Sequence, residues 1–215
     1  MNNLFSVFDP CTGILSMNWL STLIFIILMP YKMWFTQNKF SWLTSTLMKK
    51  LHMEMFMLMK YSGTSLISIS LFMLIMWNNL MGLLPHVFTS SAHLIFSLAM
   101  ALPLWLGLMM YGWIMKTNSM FCHLVPTGTP GILMPFMVMI ETISNIIRPT
   151  SLAVRLTANM IAGHLLMSLL GNNNSMMMLI SLMLMFSILM MFELAVAMIQ
   201  SYVFMTLMTL YSSEI

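Results

Sequence analysis

Between Ile132 and Tyr211 the chain carries two apolar segments of about 39 and 37 residues, parted only by Gly171-Asn-Asn-Asn174. As a helix the first would be about 58 Å long, whereas the hydrocarbon core of a bilayer is about 30 Å thick. Segments of this length must break, tilt steeply or lie partly along the membrane. Pro149 is the break or kink expected in the first; nothing comparable interrupts the second. With a tight turn at 171–174 the two are expected to form a hairpin. The rest of the chain is of the same kind. It is 60% hydrophobic and 6% charged, against about 25% charged for a soluble domain. In hydrocarbon, backbone polar groups must pair within the protein. The fold class expected is therefore all-α: a polytopic membrane protein with about five membrane-embedded helices and one amphipathic surface helix, the last two membrane helices forming a long, steeply tilted hairpin.

Read in order, residues 1–215 form one integral membrane domain. Residues 1–31 hold a short first span, from about Ile14 to Met29, closed by Pro30. Lys32, Lys39, Lys49, Lys50 and Lys60 follow, and a cluster of lysines marks the inner side of a membrane. That places 32–62 inside and the N-terminus outside. Trp42, Leu43, Leu47, Leu51, Met55 and Leu58 recur there at helical spacing, the pattern of an amphipathic helix on the membrane surface. Residues 63–117 hold a hairpin of two spans, Ser65–Leu84 and His93–Met115, with Pro103 expected to kink the second. Asn78 and Asn79 near the outer end of the first suit polar interhelical contacts. Residues 118–131 form a loop whose Pro and Gly density from Phe121 to Gly131 breaks a helix. Residues 132–215 are the long hairpin.

Several function classes are excluded. The net charge of +3 comes from few groups and reads as topology, not nucleic-acid binding. Cys11 and Cys122 match no metal spacing and are expected to be buried thiols. His52 and Glu54 do not form an H-E-x-x-H site, and no G-x-S-x-G is present, so an intramembrane enzyme lacks its machinery. No cofactor is expected. The 32 methionines are either flexible apolar filler or the imprint of a mitochondrial code that reads an isoleucine codon as Met.

Against this apolar background the few polar groups stand out. A charge at bilayer depth costs about 2.5–3.5 kcal/mol and marks a functional position by default. At about 100° per residue, Glu141, Asn145, Arg148, Leu152, Arg155 and Asn159 fall within about 80° of one another, with His164 on roughly the opposite side. The last helix carries Glu193 and, seven residues on along the same face, Gln200; Ala195 and Ala197 permit close packing. Each has a plainer alternative. Arg155 could be a buried partner of Glu141 or Glu193. His164 could be a hydrogen-bonded core histidine. Asn159 and Gln200 could join helices.

The stretches Leu152-Ala-Val-Arg-Leu-Thr-Ala-Asn-Met-Ile-Ala-Gly-His-Leu166, Ile140-Glu-Thr-Ile-Ser144 and Ala197-Met-Ile-Gln-Ser-Tyr-Val-Phe204 make the chain resemble subunit a of the mitochondrial F-type ATP synthases. Asn79-Leu-Met-Gly-Leu-Leu-Pro-His86 and Ala101-Leu-Pro-Leu-Trp105 extend the match to nearly the whole chain. The resemblance implies a proton-translocating stator subunit of the Fo sector in the mitochondrial inner membrane, N-terminus toward the intermembrane space, not catalytic by itself. It implies as partners a ring of c subunits, peripheral-stalk and small membrane subunits, the lipid bilayer and the transported protons. By position, Arg155 takes the place of the arginine that faces the c-ring carboxylates. Asn159, His164, Glu193 and Gln200 take the places of polar residues around it and along the half-channel from the intermembrane space. Glu141 takes that of an acidic residue of the matrix-side half-channel. The alternative is a proton-conducting subunit of another respiratory complex or a transporter; inverted repeats or several broken acidic helices would mark it, and no repeat is present.

Overall fold

The computed structural model describes residues 4–11, 15–28, 35–59, 62–84, 86–125, 128–172 and 179–214. Among the described residues seven α-helices carry the fold: α1 (Ile24–Leu28), α2 (Lys39–Leu58), α3 (Ser62–Gly82), α4 (Leu94–Met115), α5 (Thr117–His123), α6 (Met134–Gly171) and α7 (Leu179–Glu214). Short 3-10 turns cover Leu4–Phe8, Met17–Leu23, Ser90–Ala92 and Gly131–Leu133. The chain is an all-helical polytopic membrane protein: among the described residues, four helices are long and apolar enough to cross a bilayer, within Gly63–Gly82, Leu94–Met115, Gly131–Gly171 and Ile180–Ser213.

The N-terminal apolar run, expected as a short span, starts as a 3-10 turn and becomes α-helical only from Ile24. Its polar residues bond locally and across: the Thr22 hydroxyl donates to the carbonyl of Trp19 at 2.8 Å and the Ser21 hydroxyl to that of Phe88 at 3.2 Å. Its expected end at Met29–Pro30, together with Lys32 and Lys60, lies outside the described residues.

The hydroxyls of α6 show how polar residues enter an apolar helix. Thr142, Ser144, Thr150 and Ser151 each donate to the carbonyl three residues back at 2.8–2.9 Å, so none of these four hydroxyls presents a free donor to lipid. Three expectations are corrected here. α6 runs through Pro149 without a break; Pro149 is buried, and neighbouring helices make a proline tolerable inside a membrane helix. The stretch read as loop from residue 118 begins as α5, which reaches His123 before the chain turns; Trp113 of α4 meets Phe121 edge to face with centroids 5.2 Å apart and anchors it. Cys11 and Cys122 are exposed, because both lie in short segments outside the packed helices.

α3 packs most closely against α7, α4 against α6, and α6 against α7. Leu152, Ala153 and Leu156 of α6 meet Ala101 of α4, Ile75 of α3 and Phe204 of α7 in the main core. Met55 of α2 packs with Ile69 and Met205, so the lysine-bearing α2 lies against the C-terminal half of α7. Trp42, Leu43 and Leu47 stay exposed, leaving an apolar side on α2. Midway along α7, Ala197 clusters with Leu83, Ala92 and Met160.

Candidate functional site: a polar path on the long hairpin

α6 and α7 bring the polar residues together at three levels. At the end nearer α2, Arg148 Nη2 bonds Glu141 Oε1 at 3.1 Å, both side chains about one-third exposed. The guanidinium carbon of Arg148 also stands 5.2 Å from the centroid of the Tyr211 ring, within the range of a cation–π contact. These groups line a cavity of about 250 Å³ between α4, α5, α6 and α7, with Asn145 and His123 also in its wall.

At the middle level, Asn159 Nδ2 donates to Gln200 Oε1 at 3.3 Å across the two helices. Gln200 is buried and Asn159 exposed. Arg155 lies one turn from Asn159 and is exposed, with no hydrogen bond or ion pair among the described residues. Exposed apolar side chains flank it, Val154 of α6 and Ile199 of α7 among them, with the exposed Ser151 and Asn159 one turn to either side. A charge kept at bilayer depth is costly, which makes this guanidinium a candidate functional group.

At the far end, Glu193 is 8% exposed, and its Oε1 is buried without a partner among the described residues. It lies directly on Gly163: a Cβ there would be 2.7 Å from Glu193 Cδ. His164 is half-buried with Nε2 likewise unpartnered. Phe8 of the N-terminal turn meets its ring edge-on, centroids 6.2 Å apart.

The six sequence-predicted residues thus fall into three groups: Glu141 at one end, Arg155, Asn159 and Gln200 midway, His164 and Glu193 at the other. The expected stripe is split. Leu152 is core at 2% exposure, because α4 and α7 close over that part of α6. Arg148, not Arg155, is the ion-pair partner of Glu141. The hairpin register also differs from a mirror about Asn172 and Asn173, which would set Glu193 level with Leu152. The structure sets it at Gly163, about three helical turns away. The tight turn expected at 171–174 lies mostly outside the described residues.

Some residues gave weaker signals. Gly163 was not singled out; an isolated glycine in an apolar helix is a signal that could have marked a close approach, though not what approaches. Tyr211 gave none. Asn79, Thr89 and Ser91 at the outer end of α3 and beyond carry buried polar atoms without partners among the described residues. For Asn79 this departs from the interhelical bond expected of it.

The family described as ATP synthase A chain matches residues 11–213. Proteins named ATP synthase subunit a are similar over their full length. That of Anopheles quadrimaculatus is 56% identical over 224 residues, covering 100% of this chain and 99% of its own. Those of Aedes aegypti and Drosophila melanogaster are each 55% identical, over 224 and 222 residues, with the same coverage.

Proposed function

From the chain's membership of the ATP synthase A chain family, the proton-translocating membrane subunits of the Fo sector, we propose that its α6–α7 hairpin forms the surface past which a ring of c subunits carries protons, with Arg155 as the barrier between two half-channels. The observation that carries this reading is the exposed Arg155, without a partner among the described residues and flanked by exposed apolar side chains, between polar clusters at opposite ends of the hairpin. Arginine holds its proton at every accessible pH. It stabilises whichever ring carboxylate is ionised opposite it and denies a proton a direct crossing. Its planar fork can hold a carboxylate through two donors.

Glu193 and His164 lie on the side of the N-terminal turn, the side taken as the intermembrane space. Both are titratable, and their unpartnered atoms suit them to exchange protons with water. Gln200, tied to Asn159, fixes the polar wall beside Arg155. Glu141 with its cavity serves the matrix side, where the lysines of α2 lie. A proton moving down 100 mV releases about 2.3 kcal/mol, and this chain directs where it crosses. Phosphorylation of ADP belongs to a soluble catalytic head, so the chain is not catalytic alone. The location proposed is the mitochondrial inner membrane, N-terminus outward, with peripheral-stalk and small membrane subunits on the remaining apolar faces.

Arg155→Lys tests the reading. It keeps the charge and the stem, but lysine loses its proton when desolvated and lacks the fork. The complex should assemble with its ring, and coupled ATP synthesis in reconstituted vesicles should fall by at least about a hundredfold. Arg155→Ala should add a passive proton leak. Near-normal coupled synthesis in the Lys variant would reduce Arg155 to a structural charge.

A further inference from the structure

The wall of the cavity beside Glu141 holds a histidine that the proton path has not used. His123, last residue of α5, stands in its wall together with Glu141, Arg148 and Tyr211; α4 contributes only apolar groups there, such as Trp105 and Leu108. Lys116 precedes α5 but is not in the wall. At about 30 Å³ per molecule the volume of about 250 Å³ holds several waters. His123 itself is exposed, and its side chain also lines the cavity that Glu141 lines.

The kinetics of collecting protons give that position a task. When ATP hydrolysis drives the rotor backwards, protons enter from this side, where free protons are near 10⁻⁷ M. At an association ceiling on the order of 10⁹–10¹⁰ M⁻¹ s⁻¹, a single group gathers roughly 10²–10³ protons per second. That is no faster than an ordinary enzyme turnover of about 1–10³ s⁻¹. Glu141 is poorly placed to do better, because its pairing with Arg148 cancels the charge that would steer protons inward. An exposed imidazole can take protons from buffer acids, which are far more abundant than free protons.

Resting on the reading of Glu141 as the matrix-side group, we infer that His123 is the proton-collecting relay of this cavity. A buffer acid or hydronium gives a proton to the neutral ring. The imidazolium passes one to the cavity water, which protonates the Glu141 carboxylate and leaves His123 neutral again.

The test is ATP-driven proton pumping by the whole complex in vesicles, with α5 facing the medium. In dilute buffer at about pH 8, His123→Gln should pump roughly three- to tenfold more slowly than the parent. Free imidazole in the medium should restore most of the rate, because it supplies the missing carrier. Equal rates in dilute buffer would overturn the inference. So would a loss that imidazole does not relieve, the signature of damaged packing. Glu141→Gln is measured alongside. If it pumps normally, Glu141 is off the path and the relay falls with it; if it is blocked while His123→Gln is normal, only the relay is wrong.

Discussion

Gly163 and Glu193 make a close contact between the two helices of the hairpin. Hydrogen in place of Cβ at Gly163 lets the Glu193 carboxyl lie against the α6 backbone: a Cβ there would stand only 2.7 Å from Glu193 Cδ, so no larger residue fits without movement. The atoms that would have to move are the far end of a side chain, so the cost falls on the carboxyl and not on the helix. Gly163→Ala should therefore leave the amount of assembled complex near normal and cut proton flux by roughly tenfold, with Glu193 displaced by an ångström or so. Flux measured against complex content checks it. Collapse of assembly would mean that Gly163 serves helix packing alone. The neighbouring polar atoms follow the same physics. A buried group without a protein partner costs about 1–3 kcal/mol unless water satisfies it, so Glu193 Oε1 and His164 Nε2 are positions where water is expected.

At the scale of the element, α6 decides most. It spans 38 residues with Pro149 inside it, and everything from the Glu141–Arg148 pair to His164 hangs from that one rod. Proline removes the N–H that the carbonyl of Asn145 would accept from. Pro149→Ala restores that donor in a helix that is already continuous. The complex should assemble in full, with thermal stability raised by no more than about 3 kcal/mol, read as the unfolding temperature of the purified complex. A fall in assembly would show that the shape proline imposes seats α6 on α4. The existence of this helix was legible from its apolar run; its continuity was not, because a proline's local penalty is visible in sequence and the compensation from packed neighbours is not.

Either side of the midway group of Arg155, Asn159 and Gln200, the molecule carries polar clusters at two opposite ends. Phe8 and the following Cys11 lie at the end of His164 and Glu193; Cys122, next to His123, lies at the end of Glu141 and α2. Both cysteines are exposed, so the natural chain carries one thiol reporter for each side. A membrane-impermeant thiol reagent should label Cys11 from the intermembrane side only and Cys122 from the matrix side only. Labelling of both from one side, or the reverse pattern, would overturn the proposed orientation. The distribution of lysines gives the same polarity as an expectation from sequence, because translocated segments carry few lysines and arginines.

What the sequence determined by itself is what depends on local or compositional physics. The scarcity of charge dictates a helical membrane protein, and the charges that remain are the candidates for function. Arg155, His164 and Glu193 were legible as candidates for that reason: ionisable groups are rare in apolar helices. What the tertiary structure decided is which of them meet. Helical periodicity relates residues on one rod, but the register between two rods depends on their connection and crossing, so Glu193 lies at Gly163 rather than beside Leu152. The pairing of Arg148 with Glu141, its seat on Tyr211 and the place of His123 in the same cavity wall all join positions far apart in sequence or choose one partner among several. Those are settled by packing, which no single stretch of the chain contains.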